Sequence, residues 1–345
     1  MPRLVALDVP GGPGFVDELQ RIWDRGDAAF PVDQRLPAAA KREVCAAMRV
    51  GEPVEPGDAL VVATSGSTGV PKGVVLTHAA VAASAAATSA RLGVTPDDHW
   101  LACLPLNHVG GLSVITKALH AGTRLTVLPG FDAAAVMASG ATLVSLVATA
   151  LTRVDPAAFR VIVLGGSRPP ADRPANTVTT YGLTETGSGV VYDRRPLDGV
   201  ELRIVDGEVQ VRGPMLLRCY RDGRDPKTPD GWLPTGDLGE IGPDGLLSVH
   251  GRADELIITG GENVWPEPVE AVLRTVPGVV DVAVAGTADP EWGQVVTAHV
   301  VGDVTLDALR AAVKQQLPAF YAPKLVVRHD SLPRTSLGKL RRTSL

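Results

Sequence analysis

The ten residues from Thr64 to Gly73, Thr-Ser-Gly-Ser-Thr-Gly-Val-Pro-Lys-Gly, combine glycines, hydroxyls and a lysine in a pattern suited to holding phosphate. Glycines let backbone N–H groups come close to oxygens, Ser65, Ser67 and Thr68 add hydroxyl donors, and Lys72 adds a positive charge. The run is not a Walker loop. Lys72 stands between Pro71 and Gly73, with no Ser or Thr after it to open a helix, and Pro71 removes one N–H from the cradle. Taken alone, the stretch would also suit a flexible Ser/Gly loop.

The elements that must position this loop can be read around it. Ala59 to Thr64, an apolar run with β-branched residues, leads into the loop, and the Ala-rich stretch from His78 to Leu92 follows. The expectation is strand, phosphate loop, helix, with Thr77 capping the helix start and Gly93 its end. Apolar runs at Leu125–Leu128, Thr142–Val147 and Val161–Leu164 are spaced for crossovers and read as parallel strands buried on both faces. From Val200 the pattern alternates around Asp206-Gly207, and Pro243-Asp244-Gly245 marks a second turn, which predicts antiparallel hairpins. Beyond them, Val269, Val272, Leu273 and Val276 recur at helical spacing. Two valine-rich strands follow, then a second helix through Leu306, Leu309, Val313 and Leu317 with Thr305 as cap. The fold class expected is α/β, with a large N-terminal domain and a small α+β C-terminal domain, the boundary falling at His250–Asp254.

Composition narrows the function classes. At 345 residues, 45% hydrophobic and 21% charged, the chain has an ordinary soluble balance and room for two domains. A net charge of −5 leaves no basic field for nucleic acid, and the cluster of Lys339, Arg341 and Arg342 is too short to make one. Cys45, Cys103 and Cys219 are odd in number and far apart, which suits a reducing cytoplasm and gives no zinc spacing. Asp8, Pro10, Gly11 and Gly12 stand where a leader would be basic and then apolar, and no apolar run reaches membrane-spanning length. A soluble, cytoplasmic, unexported protein is expected.

Further segments follow the loop in a fixed order. Gly165-Gly166-Ser167 ends a buried run, and Tyr181-Gly-Leu-Thr-Glu-Thr186 comes next. Trp232-Leu-Pro-Thr-Gly-Asp237, Gly251-Arg-Ala-Asp254, Gly260-Gly-Glu-Asn263 and Pro333-Arg-Thr-Ser-Leu-Gly-Lys339 complete the series. Together with the loop they resemble the adenylate-forming superfamily of acyl-CoA synthetases, adenylation domains and luciferases, from about residue 57 to the end. Within it, the likeness is to the o-succinylbenzoate–CoA ligase family of menaquinone biosynthesis in a compact form. It rests on the short region before the loop, Pro105–Leu112, Ser145–Leu151 and Val190–Val205. Ser167-Arg168 departs from the small residues common among relatives after the Gly165-Gly166 pair.

The resemblance implies the adenylate-forming fold, with 1–250 as the large AMP-binding domain, 251–254 as a hinge and 255–345 as a small mobile domain. It also implies residue roles. Thr64, Ser65, Gly66, Ser67, Thr68, Gly69 and Lys72 would hold ATP phosphates; Gly165, Gly166, Ser167, Tyr181 and Gly182 would receive adenine; Thr184 would bond the α-phosphate and Glu185 would ligate Mg²⁺. Asp237 suits the ribose hydroxyls, with Arg252 adding a hydrogen bond from the other side. Lys339 would bridge the substrate carboxylate and the α-phosphate, two anions that must meet. His108, Gly110, Gly111, Ser145, Leu183 and Ser188 would line the acyl pocket, or His108 would act in catalysis by gating thiol entry, while Asp254 would be the pivot and Gly260 and Gly261 would face CoA. Read singly, His108 could equally be a structural histidine, Asp254 a surface acid, and Gly260-Gly261 a tight turn. The implied co-substrates are ATP, CoA and a small carboxylic acid, with Mg²⁺, no nucleic acid and no membrane span; a homodimer is left open. The rival readings are a CoA ligase for another aryl or short acyl acid, an adenylation domain loading a carrier protein, and a non-catalytic AMP- or acyl-AMP-binding regulator.

Overall fold

The computed structural model describes residues 1–64, 72–166, 169–170, 172–334 and 340–345. The chain divides into two compact units. The first comprises Met1–Arg203, Gln210–Thr235 and Ile241–Leu247; the second comprises Ile204–Val209, Gly236–Glu240 and Ser248–Leu345.

A seven-stranded sheet organises the first unit, in the order Arg195–Pro196, Gly189–Tyr192, Thr177–Gly182, Val161–Leu164, Leu143–Leu146, His99–Ala102, Arg124–Val127. From Thr177–Gly182 onward neighbouring strands are parallel, as the apolar runs require, and the other two are antiparallel. His99–Ala102 and Leu143–Leu146 are buried along their whole length, the condition under which four apolar residues suffice for a strand. A second sheet runs Leu4–Leu7, Ala28–Pro31, Asp58–Thr64, Lys72–Thr77, Cys219–Tyr220. Helix His78–Leu92 packs on this sheet, and against it lies helix Val109–Ala121, which covers the seven-stranded sheet.

One expectation needs correcting. The phosphate loop does not run from strand to helix; it connects two antiparallel strands, with Thr64 paired to Lys72, and the helix begins only at His78. The short run Val74-Val-Leu76 is apolar, two of its three residues are β-branched, and it is buried, so it joins the sheet before the alanines begin. The caps stand as expected: Thr77 Oγ1 accepts from the Ala80 amide at 3.1 Å, and Gly93 takes a left-handed φ of 56°.

Strands Glu201–Val205, Glu208–Arg212, Leu233–Ile241 and Leu247–Arg252 form a four-stranded sheet whose residues fall in both units. Its first turn has φ of 50° at Asp206 and 81° at Gly207, the two left-handed residues of a tight hairpin.

In the second unit, long strands Val279–Asp289 and Gly293–Gly302 pair antiparallel, and Leu325–Arg328 adds a parallel edge. Helices Pro266–Leu273 and Leu306–Gln316 supply Val269, Leu273, Leu309 and Val313 to a core with Val284 and Val300, each burial worth about 1.5–3 kcal/mol. Thr305 caps the second helix through the Ala308 amide at 3.2 Å. Among the described residues no helix is long and apolar enough to cross a membrane.

Candidate active site

Ligands of open parallel sheets bind beyond the carboxyl ends of the strands, beside the place where strand order reverses. Here the chain passes from His99–Ala102 outward to Arg124–Val127, then returns to Leu143–Leu146 on the other side, so the reversal lies at His99–Ala102. His108 follows the end of that strand, and Ser145 lies on its neighbour. Gly165 and Gly166 follow the next strand, and Tyr181 and Gly182 end the last parallel one, with Leu183 just after it. Residues scattered over about eighty positions of sequence thus meet along one edge of one sheet.

At that edge the glycines have distinct tasks. Gly165 donates to the Leu146 carbonyl at 3.2 Å, and a Cβ there would lie 2.8 Å from Thr180 Oγ1. Gly166 takes φ of 87°. A Cβ on Gly182 would stand 2.3 Å from the Ser188 carbonyl oxygen, so the chain can double back only over a bare backbone. Thr186 ties this return: its hydroxyl accepts from the Leu183 amide at 2.9 Å and faces the carbonyls of Leu183 and Ser188 at 2.8 and 2.7 Å. The 3-10 turn Thr184–Thr186 therefore presents Thr184 and Glu185 on a fixed support.

Glu185 has a partner that sequence reasoning missed. Tyr220 donates its hydroxyl to Glu185 Oε1 at 2.9 Å, and Lys72 Nζ lies 5.7 Å from the Tyr220 ring centre. Burial, then the Glu185 carboxylate, pushes the phenol well above its ordinary value, so it stays protonated and donates. Tyr220 is held from both sides: Arg218 forms a two-pronged pair with buried Asp58 at 2.9 and 2.8 Å, and Arg221 donates to the carbonyls of Met48, Arg49 and Pro53. Arg-Cys-Tyr-Arg carries no chemical spacing by itself; only its pairing beside Lys72–Thr77 reveals it. Among the described residues no group of three or more His, Cys, Asp or Glu could cage a metal. A magnesium ion would thus fit as Mg²⁺ usually does, on one carboxylate, that of Glu185, with phosphate and water completing the shell.

His108 precedes helix Val109–Ala121, and its carbonyl accepts from the Gly111 and Leu112 amides at 3.1 and 2.9 Å. Burial lowers its pKa, Arg35 adds to this and Asp33 opposes it, so the imidazole is neutral at pH 7. Gly111 is fixed by packing, since a Cβ would meet the Leu104 and Pro105 carbonyl oxygens at 2.4 and 2.6 Å, whereas Gly110 has only Leu104 Cδ1 nearby at 3.7 Å. Ser188 Oγ and Ser84 Oγ are buried 3.0 Å apart. Ser84, Gly187 and Ser113 line a narrow, mainly apolar cavity with Leu60, Leu76 and Leu112. Behind Ser113 stands a second residue that sequence reasoning missed. Lys117 is 2% exposed, its Nζ lies 3.3 Å from Ser113 Oγ, and no ion pair to it is found among the described residues. A lysine inside the otherwise apolar Val-Gly-Gly-Leu-Ser-Val-Ile-Thr-Lys segment was the available signal.

In the second unit, Asp237 is 8% exposed, and Arg252 reaches it at 3.5 Å and Asp254 at 3.3 Å. Gly236 makes room, because a Cβ there would lie within 2.8–3.0 Å of the Arg252 guanidinium. Gly260 and Gly261, with φ of 59° and 85°, form the turn between Ile257–Thr259 and Glu262–Val264, and Gly260 lies against Trp292. Ser65, Gly66, Ser67, Thr68, Gly69, Ser167 and Lys339 lie outside the described residues.

Residues 17–221 match the family described as AMP-binding enzyme, and 268–339 match its C-terminal domain. A Mycobacterium tuberculosis protein named probable 2-succinylbenzoate–CoA ligase is 41% identical over 99% of this chain and 97% of its own length. The 2-succinylbenzoate–CoA ligase of Bacillus cytotoxicus is 37% identical over 83% of this chain and 69% of its own. Among solved structures, the Bacillus subtilis o-succinylbenzoate CoA synthetase in complex with its acyl-adenylate intermediate superposes with a TM-score of 0.90 at 28% identity, covering 99% of this chain and 87% of that one. The same enzyme with ATP and magnesium gives 0.89 at 27% identity, covering 99% and 89%. The chain belongs to the AMP-binding enzyme family, in the branch formed by the 2-succinylbenzoate–CoA ligases.

Proposed function

We propose that this protein is an AMP-forming acid–CoA ligase whose acid is o-succinylbenzoate, the thioester serving menaquinone synthesis. The observation that carries the reading is near-full-length similarity to a relative named for that activity, 99% of one chain and 97% of the other. In the first half-reaction an acid oxygen attacks the α-phosphorus of ATP, the acyl–O–P bond forms, and the α–β bond breaks to release pyrophosphate. Thr64, Lys72 and the loop between them would hold the leaving phosphates, Thr184 the α-phosphate, and Lys339 the two anions that approach each other. Magnesium, when bound at Glu185, neutralises phosphate charge. Gly165, Gly166 and Tyr181 would receive adenine and Asp237 the ribose.

In the second half-reaction the CoA sulfur, having lost its proton, attacks the acyl carbon, and AMP leaves as the C–O bond breaks. No protein nucleophile is needed, and the buried Cys103 thiol, pushed up to about 12 by burial, is unsuited to be one. The acid carries a second carboxylate. Lys117, a buried cation behind the cavity at Ser113, is the group we assign to it. Residues 1–250 would bind ATP and acid, and 255–345 would alternate between the half-reactions about Asp254. The three free thiols fit a cytoplasmic setting.

A panel of acids in an ATP-dependent pyrophosphate-release assay tests the acid. o-Succinylbenzoate should give the highest kcat/KM, and benzoates or fatty acids turning over equally well would assign the chain another acid.

A further inference from the structure

Two legs of chain, 333–334 and 340–342, lie on either side of Lys339 in the sequence and are joined to each other. Arg334 and Leu340 form an antiparallel bridge, and the Arg341 amide donates to the Pro333 carbonyl at 2.9 Å. Each leg carries an arginine set into the body of the second unit. Arg334 donates to both oxygens of Asp281, at 2.8 and 2.7 Å, on strand Val279–Asp289. Arg342 lies deeper, its side chain only 12% exposed. It donates to Glu270 Oε1 at 2.7 Å, to Glu255 Oε2 at 3.0 Å and to the Val284 carbonyl at 3.2 Å. Glu270, 2% exposed, also accepts from the Val284 amide at 2.9 Å and from Arg274 at 3.1 Å. Glu255 closes the 3-10 turn Ala253–Glu255, next to Asp254.

A buried ion network of this kind adds little stability over apolar residues of the same volume, so what it supplies is a fixed geometry. Here that geometry joins three places: the leg just past Lys339, the turn at Asp254, and helix Pro266–Leu273. We propose that Arg334 and Arg342 are positioning residues for the adenylation half-reaction: they anchor residues 333–334 and 340–342, the described chain on either side of Lys339, and through Glu255 they tie the latter to the turn at Asp254. This rests on the reading of Lys339 as the lysine that joins carboxylate to α-phosphate.

The test uses the full chain with Arg342→Lys, Arg342→Gln and Arg334→Gln. Pyrophosphate release reports adenylation, and thioester formation from supplied acyl-adenylate and CoA reports the second half-reaction. Adenylation kcat should fall on the order of tenfold to a hundredfold, with KM for ATP and acid little changed, because a misplaced group loses rate rather than binding. Thioester formation should stay within about twofold, Arg342→Lys should recover part of the loss, and neither arginine variant should lower adenylation further in a Lys339→Ala background. Parallel loss in both half-reactions, or losses that multiply with Lys339→Ala, would overturn the proposal. Should Arg342→Gln fail to fold, Arg334→Gln, at a side chain 38% exposed, carries the same test. If Lys339→Ala leaves adenylation intact, the reading of Lys339 itself falls; if Lys339→Ala is inactive and the arginine variants are not, only the positioning role falls.

Discussion

Desolvating an ammonium without an ion-pair partner costs several kcal/mol, which makes Lys117 an unfavourable residue for the fold by itself. Ser113, which it contacts, and Ser84 both line the cavity and are polar enough to guide a carboxylate, while no ion pair to the lysine is found among the described residues. Lys117→Met should therefore leave thermal stability equal or raise it by about 1–4 kcal/mol. The same variant should cut kcat/KM for o-succinylbenzoate by on the order of 10²-fold while sparing benzoate, as expected when one partner of a desolvated charge pair is removed. Equal losses for both acids would detach Lys117 from the second carboxylate. Histidines make a pH prediction. Burial is the leading cause that lowers the pKa of His78, His108 and His299 from 6.5. The unfolded chain then binds more protons than the folded one below that value. Stability should be full above about pH 6.5 and decline as pH falls through the lowered values, and a Tm series over about pH 5 to 8 checks the sign. His108→Gln should flatten the slope.

Among the elements, the parallel sheet was the most legible, because four-residue runs such as Val161–Leu164 are apolar throughout and only strands buried on both faces look like that. The hairpin around the phosphate loop was not, since Val74-Val-Leu76 precedes the alanine helix with no turn residue between them. Its strand character comes from pairing with Val61 and Val62, which local propensity does not record. Tyr220 and Lys117 escaped for a related reason: their partners are 35 residues away for one and inside an ordinary-looking helix for the other. The motif residues were readable because each motif is contiguous in the sequence. The strand starts also depend on a residue without a motif. Asp98 is 3% exposed and accepts from Thr95, from Thr142 at 2.8 Å and from Arg160 at 2.9 and 2.7 Å, tying three parallel strands together. Burial would raise its pKa, but Arg160 and the other donors win and hold it at about 2. Asp98→Asn should destabilise the protein by about 3 kcal/mol at pH 7, seen as a lower Tm or urea midpoint, and the difference from wild type should shrink as pH falls towards 2. An unchanged midpoint would mean the network is dispensable.

At the scale of the whole molecule, two half-reactions with different needs must share one set of substrates. A pivot between two units is the device the sequence pattern implies, and Asp254, in a 3-10 turn and held to Arg252 at 3.3 Å, is the proposed pivot. Proline at this position fixes φ near −65° and removes an N–H, so an orientation that needs another dihedral becomes costly by a few kcal/mol. Asp254→Pro should preserve pyrophosphate release in a single turnover, slow CoA transfer steeply and leave acyl-adenylate on the enzyme. Unchanged turnover in a folded variant would move the pivot elsewhere. The central claim, that one chain carries an acid through its adenylate to a CoA thioester, is tested most directly by resolving the products of o-succinylbenzoate, Mg·ATP and CoA with the purified protein. The account predicts o-succinylbenzoyl-CoA and AMP in equal amounts, with pyrophosphate. Accumulation of acyl-adenylate with CoA left unconsumed, relieved only by a carrier protein, would contradict it.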